Sequence, residues 1–239
     1  MVAELIGRPG EYFTGFRYDI VDLIPPGTQR LLSVGCGAGT TELYLKHRRG
    51  IPEVVGIERE PDIAAHLEGQ LDRVLVGDIE QLTLPYPQEY FDCILYLDVL
   101  EHLVNPWALL KRHAEMLARG GTVIISVPNV RYYYSLLHLL FGEWRYSNRG
   151  LMDWSHLRYF TLGTAKQMLS QAGLVPQYVR RRYRLMDTPG RDPFTRGLKR
   201  VLDKINRPLS CWHIYDCFPY LREFITFQYI IVARKLGRG

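Results

Sequence analysis

Short apolar, β-branched runs alternate with amphipathic stretches from residue 31 to about 183, and this alternation constrains the chain more than any other feature. Runs at 31–34, 54–57, 74–76, 91–97 and 122–127 have the length and composition of strands. Helix signals lie between them. Thr40 or Thr41 caps a segment reaching about residue 49, and Pro61 suits the first turn of one reaching about residue 70. Asn105-Pro106 opens another, which ends at Gly120-Gly121. Strand–helix–strand alternation predicts a parallel sheet covered by helices. Residues 81–89 carry two prolines and read as a loop. After Pro128 the rhythm breaks: residues 128–160 are aromatic-rich and irregular. Thr161 then caps a helix ending at Gly173, and 174–182 reads as a strand. A second irregular segment, 185–221, includes an amphipathic pattern around 194–206, and 223–235 reads as the last strand.

The chemistry concentrates where these strands end. Val34-Gly35-Cys36-Gly37-Ala38-Gly39 joins the first strand to the first helix. Glycines let the backbone turn sharply and approach a ligand, and the helix that follows offers unpaired N–H groups. Glu58 closes the second strand, 19 residues after Gly39, where a carboxylate can accept both hydroxyls of a ribose. Asp78 follows the third strand and Asp98 the fourth. A dinucleotide fingerprint spaces its glycines G-x-G-x-x-G, whereas this loop reads G-x-G-x-G.

Taken together, these motifs resemble the class I S-adenosylmethionine-dependent methyltransferases over about residues 12–183 plus the final strand. LLSVGCGAGTTELYL resembles their first motif, VVGIERE the second, VLVGDIE the third, FDCILYLDVLEHLVNPW the fourth, and GGTVIISVPN their fifth strand. The resemblance implies a Rossmann-like α/β fold: a seven-stranded sheet whose last strand runs antiparallel beside the fifth, with irregular and helical lid insertions. It implies S-adenosylmethionine as cofactor and S-adenosylhomocysteine as product. Gly35, Cys36, Gly37 and Gly39 would form the cofactor loop. Glu58 would hold the ribose, Asp78 would meet the adenine amino group, Ile79 would pack on the ring, and Asp98 would stand at the fourth strand's end. An N-terminal helical cover, residues 1–30, would close the site. There Tyr12 would cover the methionine end and Arg17 would pair with its carboxylate; the plainer alternative is an amphipathic helix on the sheet edge.

Segments 128–160 and 185–221 form the expected acceptor side of a single domain spanning 1–239. The strings around Trp144 and from Gly150 to Thr161 resemble those of methyltransferases associated with glycan synthesis. Tyr132, Tyr133, Tyr134, Trp144, Tyr146, Trp154 and Tyr159 either stack on an acceptor or pack the lid. His156 and His102 are the candidate general bases for a hydroxyl acceptor. Asp98 and Asn129 do not amount to a carboxylate cluster, so no metal is expected. These features predict O-methylation of a small-molecule or glycan-like acceptor, with a quinone or secondary metabolite as the alternative. The rivals from other classes are a nicotinamide oxidoreductase and a non-catalytic cofactor-binding subunit.

Charge bears on the partner. Residues 1–130 hold 11 Lys and Arg against 18 Asp and Glu, while 131–239 hold 19 against 7. The halves are therefore −7 and +12. Either the signs merely segregate on the surface, or the basic half meets an anion: a phosphorylated acceptor or a membrane face, with nucleic acid the lesser alternative. Arg180, Arg182 and Arg184 share one strand face, where they repel unless an anion or a carboxylate answers them. No apolar run reaches the ~18 residues of a membrane span. Four scattered cysteines without a C-x-x-C pair predict neither a disulfide framework nor a structural zinc site. The expected location is cytoplasmic, with contact at the inner membrane face left open. The oligomeric state is not legible.

Overall fold

The computed structural model describes residues 15–144, 146–148, 150–183 and 219–236. Tyr12, Arg184 and the whole 185–218 stretch, with its amphipathic pattern, lie outside the described residues.

Seven strands form one sheet: β1 (Arg30–Val34), β2 (Glu53–Glu58), β3 (Arg73–Val76), β4 (Phe91–Leu97), β5 (Leu117–Pro128), β6 (Leu174–Tyr183) and β7 (Thr226–Lys235). Their order is β3-β2-β1-β4-β5-β7-β6. The first five pair in parallel, and β7 runs antiparallel between β5 and β6. This is the expected sheet, and the strand order reverses between β1 and β4. Ligands of such sheets bind outside the carboxyl ends of the strands at that reversal.

Alternate residues of each strand feed opposite faces. In β4, Ile94 and Tyr96 join one apolar cluster with Ile57 and Ile125, while Cys93 and Leu95 join the other with Leu31 and Ile124. Helices α4 (Pro106–Met116) and α6 (Leu162–Gln171) cover the first face through Leu109, Leu110, Met168 and Leu169. Helices α1 (Tyr18–Val21) and α2 (Thr40–His47) cover the second through Ile20, Leu43 and Leu45. In the central strands β1, β2 and β4 both faces are buried, which is why they read as continuous apolar runs rather than alternating ones.

Two of the three expected caps are present, while α2 is capped by neither Thr40 nor Thr41: its N-cap is the left-handed Gly39, and no side chain caps it. The Asn105 side chain accepts the Ala108 N–H, and Thr161 forms a reciprocal capping box with Thr164. Other boundaries shift. Helix α3 (Pro61–Ala65) stops short of residue 70 and continues as turns. β5 begins at Leu117, not at Thr122, because Leu117 pairs with Phe91 and the left-handed Gly120 takes up the irregularity before regular pairing resumes at Thr122. Within 128–160 a helix, α5 (Tyr133–Leu140), replaces part of the expected irregular run. Residues 223–225 belong to helix α7 (Pro219–Ile225) rather than to the last strand. There Glu223 accepts hydrogen bonds from Arg181 and from the Tyr229 hydroxyl.

Candidate active site

A cleft of about 920 Å³ opens at the strand ends, bordered by the glycine loop, Glu58, Asp78, Asp98 and the 150–157 segment. Its size suits a cofactor together with a small acceptor.

The loop is built around close approach. Gly35 sits at φ 68°, and a Cβ there would lie 2.6 Å from Val99 Cγ2. Gly39, also left-handed, would place its Cβ 2.5 Å from Leu67. The Gly35 and Cys36 N–H groups donate to the Ile57 carbonyl, which fastens the loop to β2. Cys36 borders the cleft, but its thiol faces the flat spot left by Gly56. Burial, then the nearby Glu42 and Glu58, push that thiol's pKa up, so it packs and does not react.

Glu58 is buried and held by three backbone N–H groups. Oε2 accepts Gly37 at 2.8 Å; Oε1 accepts Arg59 at 2.7 Å and Glu60 at 3.0 Å. A carboxylate has about four acceptor positions, so this cradle fixes its orientation and leaves capacity for a hydroxyl. Asp78 caps its own turn by accepting the Glu80 N–H at 2.9 Å, and Ile79 lies buried beside it; both border the cleft.

Asp98 is one of two non-glycine residues with positive φ (59°) among the described residues. Such strain persists only where the surroundings over-determine it. Here Ser126 donates to Asp98 Oδ1 and accepts the Asp98 N–H, Gln228 donates to Oδ1, and Arg17 Nη1 donates to Oδ2 at 2.6 Å. Arg17 also binds Asp19 at 2.9 Å. The sequence suggested Arg17 for the cofactor carboxylate; in the structure its guanidinium is engaged by two carboxylates of the chain while still bordering the cleft.

The two candidate bases meet. The His102 and His156 rings lie 4.7 Å apart, centre to centre. Their tautomers follow from their partners. His102 Nδ1 faces the Ser155 carbonyl at 3.3 Å and the Ser155 hydroxyl at 3.1 Å, whose own proton goes to Asp153 Oδ1 at 2.6 Å. His156 Nδ1 faces the Leu151 carbonyl at 3.1 Å. A carbonyl only accepts, so each Nδ1 carries the proton and each Nε2 is the basic nitrogen. Burial lowers both pKa values below the ordinary imidazole range, and for His156 the neighbouring His102 lowers it further. Both rings are therefore neutral at pH 7, as a base must be. Beneath them Glu101 is buried, its Oε2 unpartnered and its carboxyl pushed well up by burial and by Asp98.

Glu101, His102 and His156 each bring one ligand atom within 4.8 Å of the others, a grouping able to hold a metal ion. This grouping does not involve Asp98 or Asn129, the pair considered in the sequence, and the Asn129 amide donates to the Glu223 and Thr226 carbonyls.

Among the seven expected stacking aromatics, Trp154 borders the cleft. Tyr132 packs against Tyr133 and Phe227, Tyr134 against His138, and Trp144 against Tyr159. The basic strand is answered by carboxylates: Arg180 by Asp22 in a two-pronged pair, Arg182 by Asp19, Arg181 by Glu223. Asp153, Ser155, Ser126 and Gln228 were not singled out by sequence reading. Asp153 and Ser155 lie in the Gly150–Thr161 string, but no local signal marks Gln228, whose role depends on β7 lying beside β5.

A family model described as a methyltransferase domain matches residues 12–179. The chain belongs to this methyltransferase-domain family, in agreement with the fold and the strand-end cleft. Ubiquinone biosynthesis O-methyltransferase from Cereibacter sphaeroides is 30% identical over 168 residues, covering 67% of this chain and 66% of that protein. The chain thus spans just under two thirds of that relative. Among solved structures, a SAM-dependent methyltransferase from Archaeoglobus fulgidus superposes with a TM-score of 0.59 at 23% identity, over 92% of this chain and 91% of that one. An S-adenosylmethionine-dependent methyltransferase from Mesorhizobium loti gives 0.58 at 17% identity, over 90% and 95%. These two likenesses speak for the fold. No helix among the described residues is long and apolar enough to cross a membrane.

Proposed function

We propose that the protein transfers the methyl group of S-adenosylmethionine to a hydroxyl of a small-molecule acceptor. The observation that carries this reading is the pair of imidazoles, both with Nε2 as the basic nitrogen, lining the same cleft as the Glu58 cradle. Glu58 would hold the ribose and Asp78 and Ile79 the adenine, which leaves Asp98 and the histidines to line the region where the methyl group is transferred. The cofactor supplies the activated methyl; the protein aligns it, excludes water and removes the acceptor's proton. The acceptor oxygen attacks the methyl carbon, and S-adenosylhomocysteine leaves. The Asp153–Ser155 relay orients His102.

The acceptor is glycan-like or phenolic. The Gly150–Thr161 string favours the first, and the name of the 30%-identical relative favours the second. An anionic acceptor or an anionic membrane surface would have to be met by residues other than Arg180, Arg181 and Arg182, whose charges are already answered. A second reading, a divalent cation on Glu101, His102 and His156 that binds the acceptor oxygen, is favoured by their convergence. The test is transfer of labelled methyl from S-adenosylmethionine to a panel of catechols, hydroxyquinols and sugar nucleotides, with and without chelator. Transfer that resists chelation supports the histidine base. Transfer abolished by chelation and restored by a divalent ion supports the cation. No transfer to any hydroxyl, with transfer to amines instead, overturns O-methylation.

A further inference from the structure

Glu42 is a buried acid that the mechanism above does not use. It stands in the first turn of α2 and is 3% exposed, yet it borders the cleft beside the glycine loop. Its Oε1 accepts the Ser33 hydroxyl at 2.6 Å. The charged and titratable groups facing it are Glu58 from β2 and the Cys36 thiol from the loop, and neither is a cation. Arg17, a basic residue that also lines the cleft, gives its guanidinium to Asp98 and Asp19, and Lys46, one turn along α2, pairs with Asp72. No ion pair reaches Glu42 among the described residues. Burial, eased by the Ser33 hydroxyl and opposed by nothing positive, raises its carboxyl to about 7. A carboxylate buried without a cation is costly. An acid in this position at the wall of a binding cleft is suited to a ligand that brings the cation with it.

The cleft's stations say which cation. Glu58 marks the ribose, and Asp98 with the histidines marks the methyl. The stretch between the glycine loop and the first turn of α2 remains for the amino-acid end. That end carries an α-ammonium, which donates hydrogen bonds; the sulfonium cannot. We propose that Glu42 binds the α-ammonium of the cofactor's methionine moiety and so selects the complete cofactor over nucleosides that lack it. This rests on the cofactor reading above. It predicts that binding draws a proton off Glu42 near neutral pH, because the ammonium favours the ionised carboxylate.

The test compares S-adenosylmethionine and S-adenosylhomocysteine with 5′-methylthioadenosine, which keeps the nucleoside and lacks the amino-acid end, by titration calorimetry on the full chain. Glu42→Gln keeps the volume and an acceptor for Ser33. At pH 7.5 it should weaken the first two ligands about tenfold or more, the scale of a hydrogen bond between charged groups, and leave methylthioadenosine within about twofold. Wild-type affinity for S-adenosylhomocysteine should rise from pH 5.5 to 7.5, with proton release seen as a dependence on buffer ionisation heat, while methylthioadenosine shows neither effect. This arm needs no variant and decides the matter if Glu42→Gln does not fold. If all three ligands weaken equally, or none does, and the wild-type pH dependence is the same for all, Glu42 is structural and the proposal falls with the cofactor reading intact. If the wild type binds none of the three, the cofactor reading itself fails and takes the proposal with it.

Discussion

Two regions of the cleft are made differently. Around the glycine loop and Glu58, strand, loop and strand follow one another in the chain. Gly37 and Glu58 are 21 residues apart, and the contacts are largely backbone N–H groups on one carboxylate. Around Asp98 and the histidines the partners come from far away: His102 meets Ser155 across 53 residues, Arg17 meets Asp98 across 81 and Gln228 meets Asp98 across 130. The first region is a consequence of local geometry at two neighbouring strand ends. The second exists only once the insert has folded over β4 and β7 has entered the sheet. Damage in the first region should therefore appear as lost nucleoside binding, and damage in the second as lost turnover.

The sharpest separation should come from the histidines. His102→Gln and His156→Gln should each be purified folded and bind S-adenosylhomocysteine within about twofold of wild type; the one that acts as base should lose about 10²–10⁴-fold in kcat. Because burial lowers both pKa values, the wild-type rate should be flat above neutrality and fall on acidification below the ordinary imidazole range. A pH–rate profile checks the sign. In the other region, Gly35→Val places a β-branched residue at φ 68° with its Cβ against Val99. It should cost about 2–5 kcal/mol of stability by denaturant titration, from backbone strain and overpacking together.

Glu42 gives a stability test independent of ligands. Its carboxyl pKa is raised from 4.5 to about 7 in the fold. The stabilisation of the protonated form is fully present below pH 4.5 and is lost as pH rises to about 7. Glu42→Gln cannot titrate there. Its stability relative to wild type should therefore rise by up to about 3 kcal/mol between pH 4.5 and 8, read from paired denaturation curves. Glu58→Ala should weaken S-adenosylmethionine binding by roughly 1.5–3 kcal/mol in calorimetry and change kcat little at saturating cofactor. The smallest effect belongs to the strap between the N-terminal segment and β6. Asp22→Asn breaks the two-pronged Arg180 pair at the surface and should cost less than about 1 kcal/mol, fading with salt. Arg180 holds the Asp22 carboxyl below its ordinary range, so this contribution is lost as pH falls through that depressed value.

The same division governs what could be read in advance. Composition and periodicity determined the strand series, the two capped helices at Asn105 and Thr161, and the residues Gly35, Glu58 and Asp98 at strand ends. Those features depend on sterics and hydrogen bonding within a few residues or on the fixed repeat of a strand. Tertiary structure alone decided that Leu117 would enter β5, that Glu223 would leave the last strand, and that Arg180, Arg181 and Arg182 would find carboxylates instead of an outside anion. It also brought Glu101, His102 and His156 together and left Glu42 at the cleft wall with no ion-pair partner among the described residues. Such outcomes depend on which segments the sheet order makes neighbours, and on whether burial removes the water that would otherwise have satisfied each charge.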